Sequence, residues 1–135
     1  MASIVKEVTI DAPAPHCWDA LRDFGALHQR LARGFVTSTK MAGDRDREVT
    51  FFTGTVARER LVGINEELMR LAYTVVDSPL GSTHNNASAQ IIPIGDRQCR
   101  FVWITDILPD DLSGRIAELM DAGLTAIKKT LESTL

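Results

Sequence analysis

Four side chains in the middle of the chain are of the types that move protons or orient a polar ligand: Glu59, Tyr73, His84 and Asn85. A carboxylate held in a low-dielectric interior is expected to have a raised pKa and can then serve as a general acid or base. Read as a surface residue, Glu59 simply pairs with Arg58 or Arg60. Tyr73 can donate a hydrogen bond to a ligand carbonyl, or stand as a wall residue whose hydroxyl finds water. Asn85 offers an amide anchor or a strand-end hydrogen bond. Histidine changes charge near neutral pH, which makes His84 the residue that first looks like a general base. His16 falls in a first helical turn and reads as a surface residue, while His28 lies near the expected mouth of any cavity. No His-His-carboxylate constellation and no CxxC is visible, so no metal and no cofactor is expected. Cys17 and Cys99 read as small buried or half-buried hydrophobes in a reducing cytoplasm.

These residues need elements to position them. The β-branched stretch 3–11 predicts a first strand, ended by Asp11-Ala-Pro-Ala-Pro15, which opens a helix through about residue 24. Gly25 breaks that helix, and a second short one is predicted from Ala26 to Leu31. Strands follow at about 35–42, 46–54, 55–63, 67–77, 82–93 and 98–107, joined by turn chemistry at Gly43-Asp44, Gly54, Asn65-Glu66, Ser78-Pro79-Leu80-Gly81 and Gly95-Asp96. Such short loops imply an antiparallel meander. Pro109-Asp110-Asp111 starts a last helix, with its acidic residues favourable at the N-terminus. Ile116, Leu119, Met120, Leu124, Ile127 and Leu131 form its apolar stripe. One apolar sheet face must be covered, and only the last helix is long enough to cover it. The expected architecture is α+β: a seven-stranded curved antiparallel sheet gripping a long C-terminal helix, with two short helices after strand one, in one domain over residues 1–135.

Strand parity decides which side chains face inward. Counting about Gly95-Asp96 sets Ala89 opposite Trp103 and Asn85 opposite Ile107, so Asn85, Ala87, Ala89, Ile91, Phe101, Trp103 and Thr105 share the inner face. Counting about Ile64 to Glu67 pairs Leu61 with Leu71 and Glu59 with Tyr73. The inner face therefore carries Glu59, Tyr73 and Asn85 among small and apolar residues, which is the pattern of a cavity wall. The same parity sends His84, Asn86 and Ser88 outward; a slip of one residue would exchange the two sets. Leu27, Phe35, Met120, Leu124 and Ile127 are further candidates for core or wall, and Gly123 lets a ligand or the sheet approach the last helix.

Composition narrows the partners. Fifteen Lys and Arg against 18 Asp and Glu give a formal charge of -3 without a concentrated basic patch, which argues against nucleic acid. Arg22, Arg30 and Arg33 are too sparse to hold phosphate and read as a solvated helix face. No run approaches the roughly 20 apolar residues that span a bilayer, and the start lacks a signal-peptide pattern, so a cytoplasmic location and no membrane insertion are expected.

Five segments give the chain a resemblance to a known superfamily. They are Ala12-Pro-Ala-Pro-His-Cys-Trp18, Glu59-Arg60-Leu61, Leu71-Ala-Tyr73-Thr-Val-Val-Asp-Ser-Pro79, Ile92-Pro-Ile-Gly-Asp96 and Cys99-Arg-Phe-Val-Trp103-Ile-Thr-Asp106. In order and spacing the chain resembles the START-like (SRPBCC) superfamily of birch-pollen-allergen-type proteins, abscisic-acid receptors and the bacterial polyketide cyclase/dehydrase and lipid transport group. The resemblance implies a sheet gripping the final helix around an apolar pocket that takes lipids, sterols, hormones or aromatic polyketides. Glu59 matches a Glu-Arg-Leu motif that, in the hormone receptors, puts a carboxylate near pocket water. The leading expectation is binding, transport or sensing of a small hydrophobic ligand by a monomer or homodimer. One alternative is an aromatic polyketide cyclase or dehydrase using Glu59 or His84 as acid or base. A second is a protein-interaction module with a filled core.

Overall fold

The computed structural model describes residues 2–135. Strand β1 (Ala2–Ile10) alternates half-buried and exposed side chains, as a period-two apolar pattern requires. Helix α1 (Ala14–Arg22) is led in by Pro13 and carries Pro15 in its first turn, where a missing N–H costs nothing. It buries Ala14, Cys17, Trp18, Ala20 and Leu21. The expected second short helix is present as a single π turn at Leu27–Leu31, entered through a 3-10 turn at Phe24–Ala26 and closed by Ala32 N–H donating to the Leu27 carbonyl at 2.9 Å.

Six strands follow: β2 (Val36–Met41), β3 (Asp46–Phe51), β4 (Val56–Asn65), β5 (Arg70–Asp77), β6 (His84–Ile94) and β7 (Gln98–Leu108). They build one antiparallel sheet in the order β1-β7-β6-β5-β4-β3-β2. Asp110 and Asp111 sit in a 3-10 turn (Asp110–Leu112), and α2 (Ser113–Ser133) begins after it with no acid in its own first turn. The 21-residue α2 buries Ile116, Met120, Gly123, Leu124, Ile127, Thr130 and Leu131 against the sheet.

The register is where counting and structure part. In the β6–β7 hairpin Ala89 lies opposite Trp103 and Asn85 opposite Ile107, as the count about Gly95-Asp96 requires. In β4–β5 the partners differ: Leu61 lies opposite Tyr73, and Glu59 opposite Val75. The turn falls at 66–69, with Met69 at positive φ, and sets Ile64 opposite Leu71. That register alone would put Glu59 across from Val76, which points outward and is 41% exposed. A bulge between Leu61 and Gly63 absorbs one residue and returns Glu59 to the inner face.

The solid part of the core lies where α1, β1, β7 and the C-terminal half of α2 meet. Ile10, Cys17, Cys99 and Leu131 are fully buried there, with the two thiol sulfurs 3.5 Å apart. The Trp18 indole N–H donates to Glu66 Oε2 at 2.6 Å, tying α1 to the β4–β5 turn. His16, half-buried, contacts the Leu131 carbonyl through Nε2 at 3.0 Å and so fastens α1 to the end of α2. The opposite end of the same interior is not filled.

Candidate functional site

That unfilled end is a cavity of about 350 Å³ between the sheet and α2. Its deep wall contains Leu71 and Phe101, each 1% exposed; Thr53, Pro79 and Arg115 are exposed and mark where it opens. Eleven of the residues expected at the site stand on this wall: Glu59, Tyr73, Asn85, Ala89, Phe101, Trp103, Thr105, Met120, Ile127, Leu27 and Phe35. Two do not. Ala87 is buried in the core beside the cavity, and Leu124 faces β1, where it borders a shallow depression with Glu7 and Val8. For Leu124 the helical period is the reason: it stands about 100° round from Gly123, which does line the cavity.

Glu59 is not a lone carboxylate, nor is it a surface partner of Arg58 or Arg60. On β3 Arg47 sits directly opposite it, and the two side chains are only 7% and 8% exposed. Arg47 donates through Nε at 2.9 Å and pairs through Nη2 at 2.8 Å, both to Glu59 Oε1. Its third nitrogen, Nη1, donates to the Phe24 carbonyl at 3.0 Å, and the guanidinium lies 3.8 Å above the Phe24 ring. Arg58 and Arg60 point the other way and pair with Asp46. Arg47 was missing from the expected site. The same hairpin counting about Thr53, carried out for β3 and β4, places it across from Glu59.

Tyr73 stands beside this pair. Its Oη accepts a hydrogen bond from the Trp103 indole at 3.3 Å. Because an indole N–H only donates, the phenol's own proton is not used in that contact. Burial pushes the Tyr73 phenol up from its ordinary pKa of 10, and the Glu59 charge pushes the same way; Arg47 and the indole oppose them. Tyr73 therefore keeps its proton and remains a donor. Asn85 and Thr105 add an amide and a hydroxyl to the same, mostly apolar wall.

Trp103 owes its position to α2. A Cβ at Gly123 would lie 2.9 Å from Trp103 Cζ3 and 3.3 Å from Phe35 Cε2, so only glycine lets both rings close the cavity over the helix.

His84 lies on the outer face, exposed, its Nε2 hydrogen-bonded with Asn86 Oδ1. From there Asn86 Nδ2 donates to Asp106, which also accepts from Ser3 Oγ. This polar chain is separated from the cavity by the sheet, and His28 is likewise not on the cavity wall. Among the described residues no three His, Cys, Asp or Glu side chains converge as metal ligands would, and no helix is long and apolar enough to cross a membrane.

The fold and the cavity together define a helix-grip domain, a sheet closed on its C-terminal helix around an internal chamber. Residues 1–133 match the family described as polyketide cyclase / dehydrase and lipid transport, and the chain belongs to that family. Among solved structures it is similar to an uncharacterised protein from Bacillus thuringiensis (18% identity, TM-score 0.86, covering 96% of this chain and 98% of that one). It is also similar to a START superfamily protein from Mycobacterium smegmatis (15%, 0.75, 98% and 95%). A third is the Zhui aromatase/cyclase from a Streptomyces species (13%, 0.75, 98% and 92%). At these identities the likeness concerns the fold. No curated protein sequence matches the chain.

Proposed function

We propose that this protein binds a small, largely apolar ligand in the cavity between the sheet and α2. The observation that carries the reading is the unfilled chamber of about 350 Å³, apolar over most of its wall, with a few polar groups on it. Apolar surface leaving water drives such binding at about 25 cal/mol per Å², less the costs of association. A few fixed polar groups orient what enters. Glu59 and Tyr73 take that role, with Asn85 and Thr105 as further anchors on the wall. A module with a filled core is the reading this interior does not support.

The family name and the Streptomyces aromatase/cyclase raise a cyclase or dehydrase as the other possibility. The residue arrangement favours binding over that chemistry. His84 is outside the cavity, and Glu59 is committed to Arg47.

An uncharged, environment-sensitive dye such as 6-propionyl-2-dimethylaminonaphthalene should bind with a blue shift. Ala89 is buried on the sheet wall as the cross-strand neighbour of Trp103, so the ring of Ala89→Phe projects into the chamber and takes up space the dye needs. It should remove dye binding while the far-UV circular dichroism spectrum stays unchanged. Dye binding that survives Ala89→Phe would place the ligand elsewhere.

A further inference from the structure

The charges at depth suggest which ligands the cavity accepts. Arg47 has its cation engaged on each side: Nε and Nη2 on Glu59, Nη1 on the Phe24 carbonyl, and its flat face over the Phe24 ring. Glu59 receives both arginine contacts on Oε1 alone. Its second oxygen makes no hydrogen bond to the described residues, and the Glu59 side chain keeps 8% of its surface accessible. Glu59 lines the cavity, so Oε2 is an acceptor open to whatever enters. Tyr73 supplies the matching donor, the phenol proton left over once Trp103 has used the oxygen.

We propose that the Arg47–Glu59 pair makes the cavity selective for uncharged ligands bearing a hydroxyl, phenols and hydroxy-carbonyl aromatics above all, and selects against carboxylates of the same size. This rests on the cavity being the binding site. A phenolic hydroxyl can donate to Glu59 Oε2 and accept from Tyr73, satisfying both open groups at once. A ligand carboxylate can do only the second. It would also carry its charge out of water into a low-dielectric space beside a pair that is already neutral, a cost the uncharged ligand does not meet. Arg47 offers no compensation, because its charge is already neutralised by Glu59. The buried pair thus acts as a charge filter, rejecting the wrong ligand rather than only attracting the right one.

The filter can be inverted. In Glu59→Gln the guanidinium loses its counter-charge, and a ligand carboxylate becomes the natural replacement. The experiment compares 2-naphthol with 2-naphthoate, the same ring system neutral or anionic at pH 7, by calorimetric titration. The wild-type protein should prefer 2-naphthol by at least about tenfold, the scale of one charge-assisted contact. Glu59→Gln should shift that ratio at least about tenfold toward 2-naphthoate. The double variant Arg47→Gln/Glu59→Gln, which leaves no uncompensated charge, should again prefer 2-naphthol.

Equal wild-type affinities for the two probes would overturn the filter and leave the binding site standing. Binding of neither probe would remove the site and the filter with it. If the double variant takes 2-naphthoate as readily as Glu59→Gln does, the guanidinium is not the cause and the filter is refuted. Should Glu59→Gln fail to fold, the wild-type protein still decides: it should bind 2-naphthol at least about tenfold more tightly than 2-methoxynaphthalene, which lacks the proton for Glu59 Oε2, and equal affinities refute the filter.

Discussion

Strands β3 and β4 carry two ion-pair systems built from neighbouring residues, Asp46-Arg47 on one and Arg58-Glu59-Arg60 on the other. Arg47 and Glu59 point inward and are 7% and 8% exposed. Asp46 points outward and is itself only 8% exposed, covered by Arg58 and Arg60, which are 42% and 53% exposed. The chemistry is the same on both faces, guanidinium on carboxylate at 2.8 Å. What differs is the medium. Water reaches both guanidinium groups of the outer cluster and screens them, so such pairs add little stability. The inner pair has only each other and the Phe24 carbonyl. Its value is specificity and position; its fragility is that neither charge survives alone.

Breaking one inner partner is the sharpest way to expose this difference. Arg47→Met should destabilise the fold by about 3–5 kcal/mol, the usual cost of leaving a buried charge unpaired. Arg47→Met with Glu59→Leu should recover most of that loss, because a well-packed apolar pair replaces a desolvated one. Urea denaturation of the single and double variants checks both values. A single variant as stable as wild type would mean that water reaches Glu59 freely and that the two faces are alike.

Gly123→Ala tests the inner face from the helix side. The new methyl meets Trp103 at 2.9 Å, and the indole must shift away from α2. Overpacking of this kind typically costs about 1–3 kcal/mol. The shift also separates the indole from Tyr73, so the tryptophan fluorescence maximum and the affinity for 2-naphthol should change together.

The smallest effect belongs to the outer cluster, and its sign with pH is distinctive. Hydrogen bonds from Arg60 and then Arg58 pull the Asp46 carboxyl from its ordinary 3.8 down to about 2. A depressed carboxyl stabilises the fold above its unfolded value and loses that contribution as pH falls through its folded one. Asp46→Asn should therefore lower Tm slightly at pH 7, with the difference closing between about pH 4 and pH 2. Ligand affinity should not change. A loss as large as that of Arg47→Met would erase the distinction between the faces.

Much of the architecture was readable because it rests on short-range rules. Gly95-Asp96 is tight-turn chemistry, so the β6–β7 register and the outward placement of His84 followed from counting. The apolar stripe of α2 identified the covering helix, although its period could not say which flank of the stripe meets the cavity; Leu124 fell on the far side. The two short helices after strand one were legible from Gly25 and the apolar spacing, but the type of the second was not: it is a π turn entered through a 3-10 turn, and these bury residues at nearly helical spacing. Arg47 was overlooked because nothing within β3 distinguishes it from any other strand arginine; its meaning comes from Glu59, twelve residues away.

Taken alone, the sequence determined the order of elements, the antiparallel meander, the long helix that must cover it and the polar residues interrupting an apolar face. Those follow from side-chain period and turn chemistry, which act over a few residues. Tertiary structure decided three things that such rules do not reach. The bulge between Leu61 and Gly63 gave Glu59 Val75 rather than Tyr73 as its partner while keeping it on the inner face, against the register set by the 66–69 turn. Glycine at 123 let Trp103 reach Tyr73. The pairing of β3 with β4 turned a carboxylate that reads as a free acid into half of a buried ion pair. Each depends on where two distant segments meet, and at such a meeting one residue's shift moves a side chain from water to the interior.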